Sequence, residues 1–122
     1  MNEGFQRDLL RGSLDMMILS ALARGPQYGY GVQKQIETAS QGRAKIAAGT
    51  LYPILHRLES DKLIKSRWED DTGRKRKWYE LTATGRKKLV KQAEEWTQFA
   101  HCLQTLLAPV VSGAKLATSP AT

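Results

Sequence analysis

The sequence predicts a mostly α-helical chain with one small β-hairpin and a long final helix, and three observations carry that reading. Apolar residues recur at spacings of three and four as far as Leu58, alternate with polar residues after Leu63, and return as a heptad from Leu89 to Leu107. The first stripe, Leu10, Leu14, Met17, Ile18, Ala21 and Leu22, predicts a helix from about Phe5 to Arg24, stopped by Gly25-Pro26. A shorter helix is expected from about Tyr30 to Ala39, with Val32, Ile36 and Ala39 turned inward and Ser40-Gln41-Gly42 ending it.

In the third helix Leu51, Ile54, Leu55 and Leu58 follow the i, i+3, i+4, i+7 rule, so Tyr52, Pro53, His56 and Arg57 face outward. Pro53 is tolerated if the helix starts between Ala48 and Thr50, because a first-turn N–H has no helical acceptor to lose; Thr50 is then the candidate N-cap. Beyond Leu63, Ile64, Ser66 and Trp68 alternate with Lys65, Arg67 and Glu69. After the polar turn Asp70-Asp71-Thr72-Gly73-Arg74, residues Lys75, Lys77, Tyr79 and Leu81 alternate with Arg76, Trp78 and Glu80. Both faces of the second strand carry an aromatic residue, so alternation alone leaves their phase open. Three helices followed by a hairpin with a basic edge describe a winged helix-turn-helix.

The last helix is expected from Thr82, a candidate N-cap, to about Leu107, before Pro109. Leu89, Ala93, Trp96, Ala100, Leu103 and Leu107 lie on it at spacings of 4, 3, 4, 3 and 4, the a/d pattern of a helix-pairing seam. About 25 residues of helix span roughly 38 Å, more than so small a core can cover, so a second copy of the chain is the expected partner. The organisation read from the sequence is therefore a DNA-binding domain over 5–81, a dimerisation helix over 82–108 and a disordered tail over 109–122.

Composition bounds the rest. The 122 residues suit one domain, with 41% hydrophobic and 25% charged residues, ordinary for a globular chain. A single cysteine, Cys102, rules out an internal disulfide framework and suits a reducing compartment. The opening residues lack the basic, apolar, small-residue order of a signal peptide, and no apolar run is long enough to span a bilayer. A cytoplasmic protein without membrane association is expected. The net charge of +7 is concentrated: Arg74 to Lys91 holds eight basic residues and one acid, Glu80, as phosphate neutralisation requires.

An enzyme is not expected. The two histidines, His56 and His101, lie in different segments, and no HExxH, paired cysteines or nucleotide-loop signature is present; neither a metal nor a cofactor is called for. The outer face of the third helix, with Tyr52, His56 and Arg57, suits the major groove of double-stranded DNA, while Arg74, Lys75, Arg76 and Lys77 suit phosphates beside it. The plainer alternatives are a solvated helix face and an edge-protecting charge run. Tyr28 and Tyr30, flanking Gly29, fit either phosphate contact or packing beneath the helix pair. Trp68 and Trp78 read as wing and core packing, and Cys102 as a small buried hydrophobe. Trp96 reads first as dimer packing. Two symmetry-related copies, with Phe99 alongside, would also leave a slot for a planar aromatic ligand.

The stretches LLRGSLDMMILSALARGPQYGYGV (Leu9 to Val32), GTLYPILHRLESDKLI (Gly49 to Ile64) and GRKRKWYELTATGRKKL (Gly73 to Leu89) closely resemble the PadR family of bacterial transcriptional regulators, in its short form with a single C-terminal helix. The resemblance covers about residues 5 to 108. It implies a homodimeric repressor of a palindromic operator, with Tyr28, Gly29 and Tyr30 at the start of the second helix. It also implies DNA-contact candidates at Thr50, Tyr52, His56 and Arg57, a basic wing at Arg74, Arg76 and Lys77, and aromatic effectors meeting a tryptophan placed like Trp96. Two departures stand out: Ala47-Ala48 replaces the polar cap that often precedes Gly-Thr-Leu-Tyr, and the wing turn is short. Two other readings share the fold, an activator and a protein-binding adaptor without specific DNA binding; the density of cations disfavours the adaptor.

Overall fold

In the computed structural model, which describes Gly4, residues 13–71 and residues 73–117, the elements run α1 (Leu14–Ala23), β1 (Gln27–Tyr28), α2 (Gly29–Ala39), α3 (Ala48–Ser60), β2 (Ile64–Asp71), β3 (Arg74–Leu81) and α4 (Ala83–Ala117). The expected helical stretch before Ser13, including Leu10, lies outside the described residues. The chain divides into two units, Met1–Val90 and Lys91–Thr122.

The three stripes of the helix-turn-helix meet in one core. Ile18, Leu19 and Leu22 of α1, Val32 and Ile36 of α2, and Leu51, Leu55 and Leu58 of α3 are buried together, with Leu14, Met17 and Ile54 at the margin. Ala39, expected inward, is exposed at the last residue of α2. Both α2 and α3 end in paired backbone bonds that satisfy their final carbonyls. Gly42 and Gln41 donate to Glu37 and Thr38 after α2, and Leu63 and Lys62 to Leu58 and Glu59 after α3. Gln41 and Lys62 take the left-handed conformation there, with φ of 56° and 62°, at a steric cost that glycine would avoid.

The hairpin closes the core from the other side. β2 and β3 pair antiparallel from Ile64↔Leu81 to Asp71↔Arg74, and Gly73, at φ 78°, supplies the left-handed residue of the turn. Tyr79 is 1% exposed, which resolves the phase: Ile64, Ser66 and Trp68 share a face with Leu81, Tyr79 and Lys77, and that face meets the helices. A third strand was not read from the sequence. Gln27 and Tyr28 pair with Tyr79 and Trp78, giving the order β1-β3-β2; two residues are too few to show alternation.

α4 begins where Thr82 caps it. The Thr82 hydroxyl accepts from the Gly85 N–H at 2.9 Å and donates to the Lys62 and Leu63 carbonyls at 2.8 and 3.0 Å, tying the helix to the end of α3. Leu89, the first position of the expected seam, is buried in the core of its own chain. Two expectations for α4 need correction. The helix does not stop before Pro109 but runs through it to Ala117; an internal proline forfeits its bond to the Thr105 carbonyl and crowds that carbonyl, a local cost that can kink a helix without ending it. Residues 109–117 of the expected disordered tail are therefore helical, while 118–122 lie outside the described residues. Cys102 is exposed rather than buried.

A Cβ at Gly85 would run into the Leu63 carbonyl and lie 2.8 Å from its carbon, and backbone there has little room to yield. Gly85→Ala is expected to destabilise the fold by about 2–3 kcal/mol through overpacking. The check is a lowered melting temperature followed by circular dichroism.

Candidate nucleic-acid interface

The buried leucines of α3 turn its opposite side outward. Leu51 and Leu55 are fully buried, so Tyr52 and His56, each one position further on, stand at the surface. Tyr52 is held against α2 by the absence of a side chain at Gly29. A Cβ there would lie 2.5 Å from the Tyr52 hydroxyl and 2.8 Å from Cζ. The Tyr-Gly-Tyr sequence thus brings the start of α2 against the outer face of α3.

The hairpin supplies the facing wall. A groove of about 760 Å³ runs between the start of α2, the outer face of α3 and the hairpin. Tyr28, Tyr30, Tyr52 and His56 line it on the helical side, and Arg74, Lys75, Arg76 and Lys77 on the hairpin side. Eight of the ten expected contact residues therefore converge on one concavity. Among the described residues four cations and no carboxylate line it.

These residues are not equivalent. Arg76 stacks over the Tyr28 ring at 5.0 Å, and Tyr28 meets Trp78 edge-on at 4.4 Å between centroids while its hydroxyl donates to Glu69 at 3.4 Å. Tyr28 thereby pins the root of the hairpin as well as lining the groove. Lys77 is half-buried, pairs with Glu59 at 3.5 Å and lies 5.7 Å over the Tyr79 ring. Tyr30 is 66% exposed, with Lys34 5.9 Å over its ring. Glu59, one turn beyond His56, also accepts from the Ser66 hydroxyl at 2.5 Å, so one carboxylate joins α3 to both strands. Tyr79 lies beneath this junction. Burial first, then Tyr52 and Glu59 nearby, push its phenol up to about 12, so it stays protonated and neutral under the core.

Two expected residues lie apart. Thr50 is not the N-cap of α3. Ala47 occupies that position in extended conformation with no side-chain capping bond, because the helix begins at Ala48; Thr50 sits in its exposed first turn. Pro53 consequently falls in the second turn, where it forfeits the bond to the Gly49 carbonyl. Arg57 is engaged within the chain. Its guanidinium makes two hydrogen bonds to Asp15 of α1, at 2.9 and 2.7 Å, and that contact raises its pKa further above an already high value. Both partners are half-exposed, so the pair contributes on the order of 0.2–1 kcal/mol and acts mainly as a strut between α1 and α3.

One groove residue was misjudged from the sequence. Trp68, expected to pack in the wing and core, is 65% exposed and lines the groove. Its face of the hairpin is buried at Ile64, Leu81 and Tyr79 but opens at Trp68 and Lys77, because the strands run on past the core that they cover. Among the described residues no group of three or more His, Cys, Asp or Glu is placed to hold a metal ion, and no helix is long and apolar enough to cross a membrane.

A sequence profile of the transcriptional regulator PadR-like family matches residues 18–91, the stretch that builds this groove. The chain belongs to that family. It is thus a transcriptional regulator and not an enzyme. Among solved structures it is similar to a PadR family transcriptional regulator from Eggerthella lenta DSM 2243, at 38% identity over 82% of this chain and 86% of that one, with a TM-score of 0.72. It is also similar to the transcriptional regulator Cth-833 from Clostridium thermocellum, at 33% identity over 80% and 96% of the two chains, with a TM-score of 0.74. The transcriptional regulator Rv3488 of Mycobacterium tuberculosis is 31% identical over 95 residues, 78% of this chain and 86% of that protein.

Proposed function

We propose that this PadR-like regulator binds double-stranded DNA as a homodimer, seating the outer face of α3 in the major groove and the hairpin as a wing on the flanking phosphates. The observation that carries the proposal is the single groove in which Tyr30, Tyr52 and His56 face Arg74, Lys75 and Arg76 with no carboxylate among the lining residues. Helix residues there are placed to meet base edges, and wing cations to neutralise backbone charge.

The dimer forms through α4. Along that helix Trp96, Leu103 and Leu107 of the heptad seam are 49, 41 and 43% exposed, and Phe99, Leu106 and Val110 beside them more than 60%. A strip of that length left bare in water is the mark of an association surface. Twofold pairing sets two recognition helices about 34 Å apart along one side of the duplex, hence a palindromic operator with half-sites one turn apart. The bound dimer obstructs transcription in the cytoplasm, as a repressor. A small planar aromatic ligand stacking on Trp96 and Phe99 at the dimer seam releases it by favouring a different spacing of the two heads. The division into a DNA-binding domain over 5–81 and a dimerisation helix from residue 82 belongs to the same proposal.

Selection of bound duplexes from a random pool supplies the operator, and a titration across salt then tests the groove. Binding should weaken steeply as salt rises, and Arg74→Ala and Arg76→Ala should each lower the slope of log K against log salt by about 1. Equal affinity at low and moderate salt would contradict the phosphate contacts. Leu103→Asp places a charge in the apolar seam and is expected to convert the dimer to monomer in sedimentation, with the helix content kept. A variant that stays dimeric would put the interface elsewhere.

A further inference from the structure

We infer that Trp68 is itself a DNA-contact residue: its indole face packs on the deoxyribose wall of the duplex when the wing seats. The inference rests on the DNA-binding reading above and adds to it an uncharged contact that neither the family match nor the sequence pattern assigns.

An indole at this position adds little to the core. Its face of the hairpin is buried at Ile64, Tyr79 and Leu81, yet Trp68, further toward the turn, remains 65% exposed. A large aromatic side chain left in water forgoes the burial that usually justifies it. Trp68 does not stand on the solvent side of the wing. It lines the groove together with Tyr52, His56 and Arg76, so whatever enters the groove meets its ring.

The chemistry of the surroundings selects the occupant. Lys77, opposite Trp68 across the strands, lies 5.9 Å over the indole and 3.5 Å from Glu59, so this cation is engaged within the chain while the ring beside it is left exposed. Lys75, opposite Asp70, is the next cation on the same face toward the turn, and Arg74 and Arg76 line the same groove. A groove wall that carries both cations and a flat apolar ring fits a chain of alternating phosphates and sugars: the cations meet phosphate oxygens, the ring covers the C–H face of a deoxyribose, and the indole N–H is available to the next phosphate. An acidic protein surface would satisfy the cations but has no repeating apolar patch at sugar spacing.

The test separates this contact from the ionic ones, using the full-length dimer and a duplex chosen by selection. Trp68→Ala is expected to weaken binding about tenfold, the scale of one aromatic contact, and to leave the slope of log K against log salt unchanged because no phosphate charge is lost. Trp68→Phe, which keeps a ring face, is expected to bind within roughly threefold of the wild type. It also carries the test should the alanine variant melt early. Wild-type affinity in Trp68→Ala would overturn the inference. So would a weaker affinity with the slope lowered by about 1, because Trp68 would then act only by placing Lys77. A wild-type protein that binds no duplex would instead overturn the DNA-binding reading itself.

Discussion

The surface of this protein depends on three buried leucines of one helix. Leu51, Leu55 and Leu58 of α3 are at most 1% exposed, and burial of a leucine side chain is worth roughly 1.5–3 kcal/mol. Rotating the helix to hide any other face would surrender that energy and bury polar groups instead. With the stripe fixed inward, helical geometry leaves Tyr52 and His56 no direction but outward. The face offered to DNA is thus set by what the core requires.

The wing is set against that face by a second constraint, the partial burial of the hairpin. Ile64, Tyr79 and Leu81 anchor its root in the core, and Glu59 bridges α3 to Ser66 and Lys77 where the core ends. β1 adds a brace on the far edge, since Tyr28 pairs with Trp78 and packs against its ring. Beyond this level the strands have nothing to cover, and their side chains become the groove wall. Rigidity at the root and exposure at the tip come from one sequence of eight residues per strand.

Periodicity in the sequence carried much of this arrangement. The leucine stripe of α3, the alternation of the hairpin and the Thr82 cap were legible because each follows from a local rule, and eight of the ten expected contact residues meet in the groove. What was not legible depends on partners distant in sequence. Asp15 lies 42 residues from Arg57, and only the folded chain shows that they pair. The two residues of β1 carry no pattern of their own and become a strand through β3. Trp68 looked like core because its alternation phase matches Ile64; alternation tells which face a residue is on but not where along the strand the core stops. Proline at 109 suggested a helix end, yet its local cost did not interrupt α4.

The most direct measurement is amide-resolved nuclear magnetic resonance of the protein titrated with a duplex chosen by selection. Shifts should concentrate at Tyr30, Tyr52, His56, Trp68 and the stretch from Arg74 to Lys77, leaving Lys65, Arg67 and Glu80, which do not line the groove, undisturbed. Shifts confined to Lys65, Arg67 and Glu80, or a duplex that moves no residue of the groove, would contradict the assignment of the groove as the DNA-binding surface.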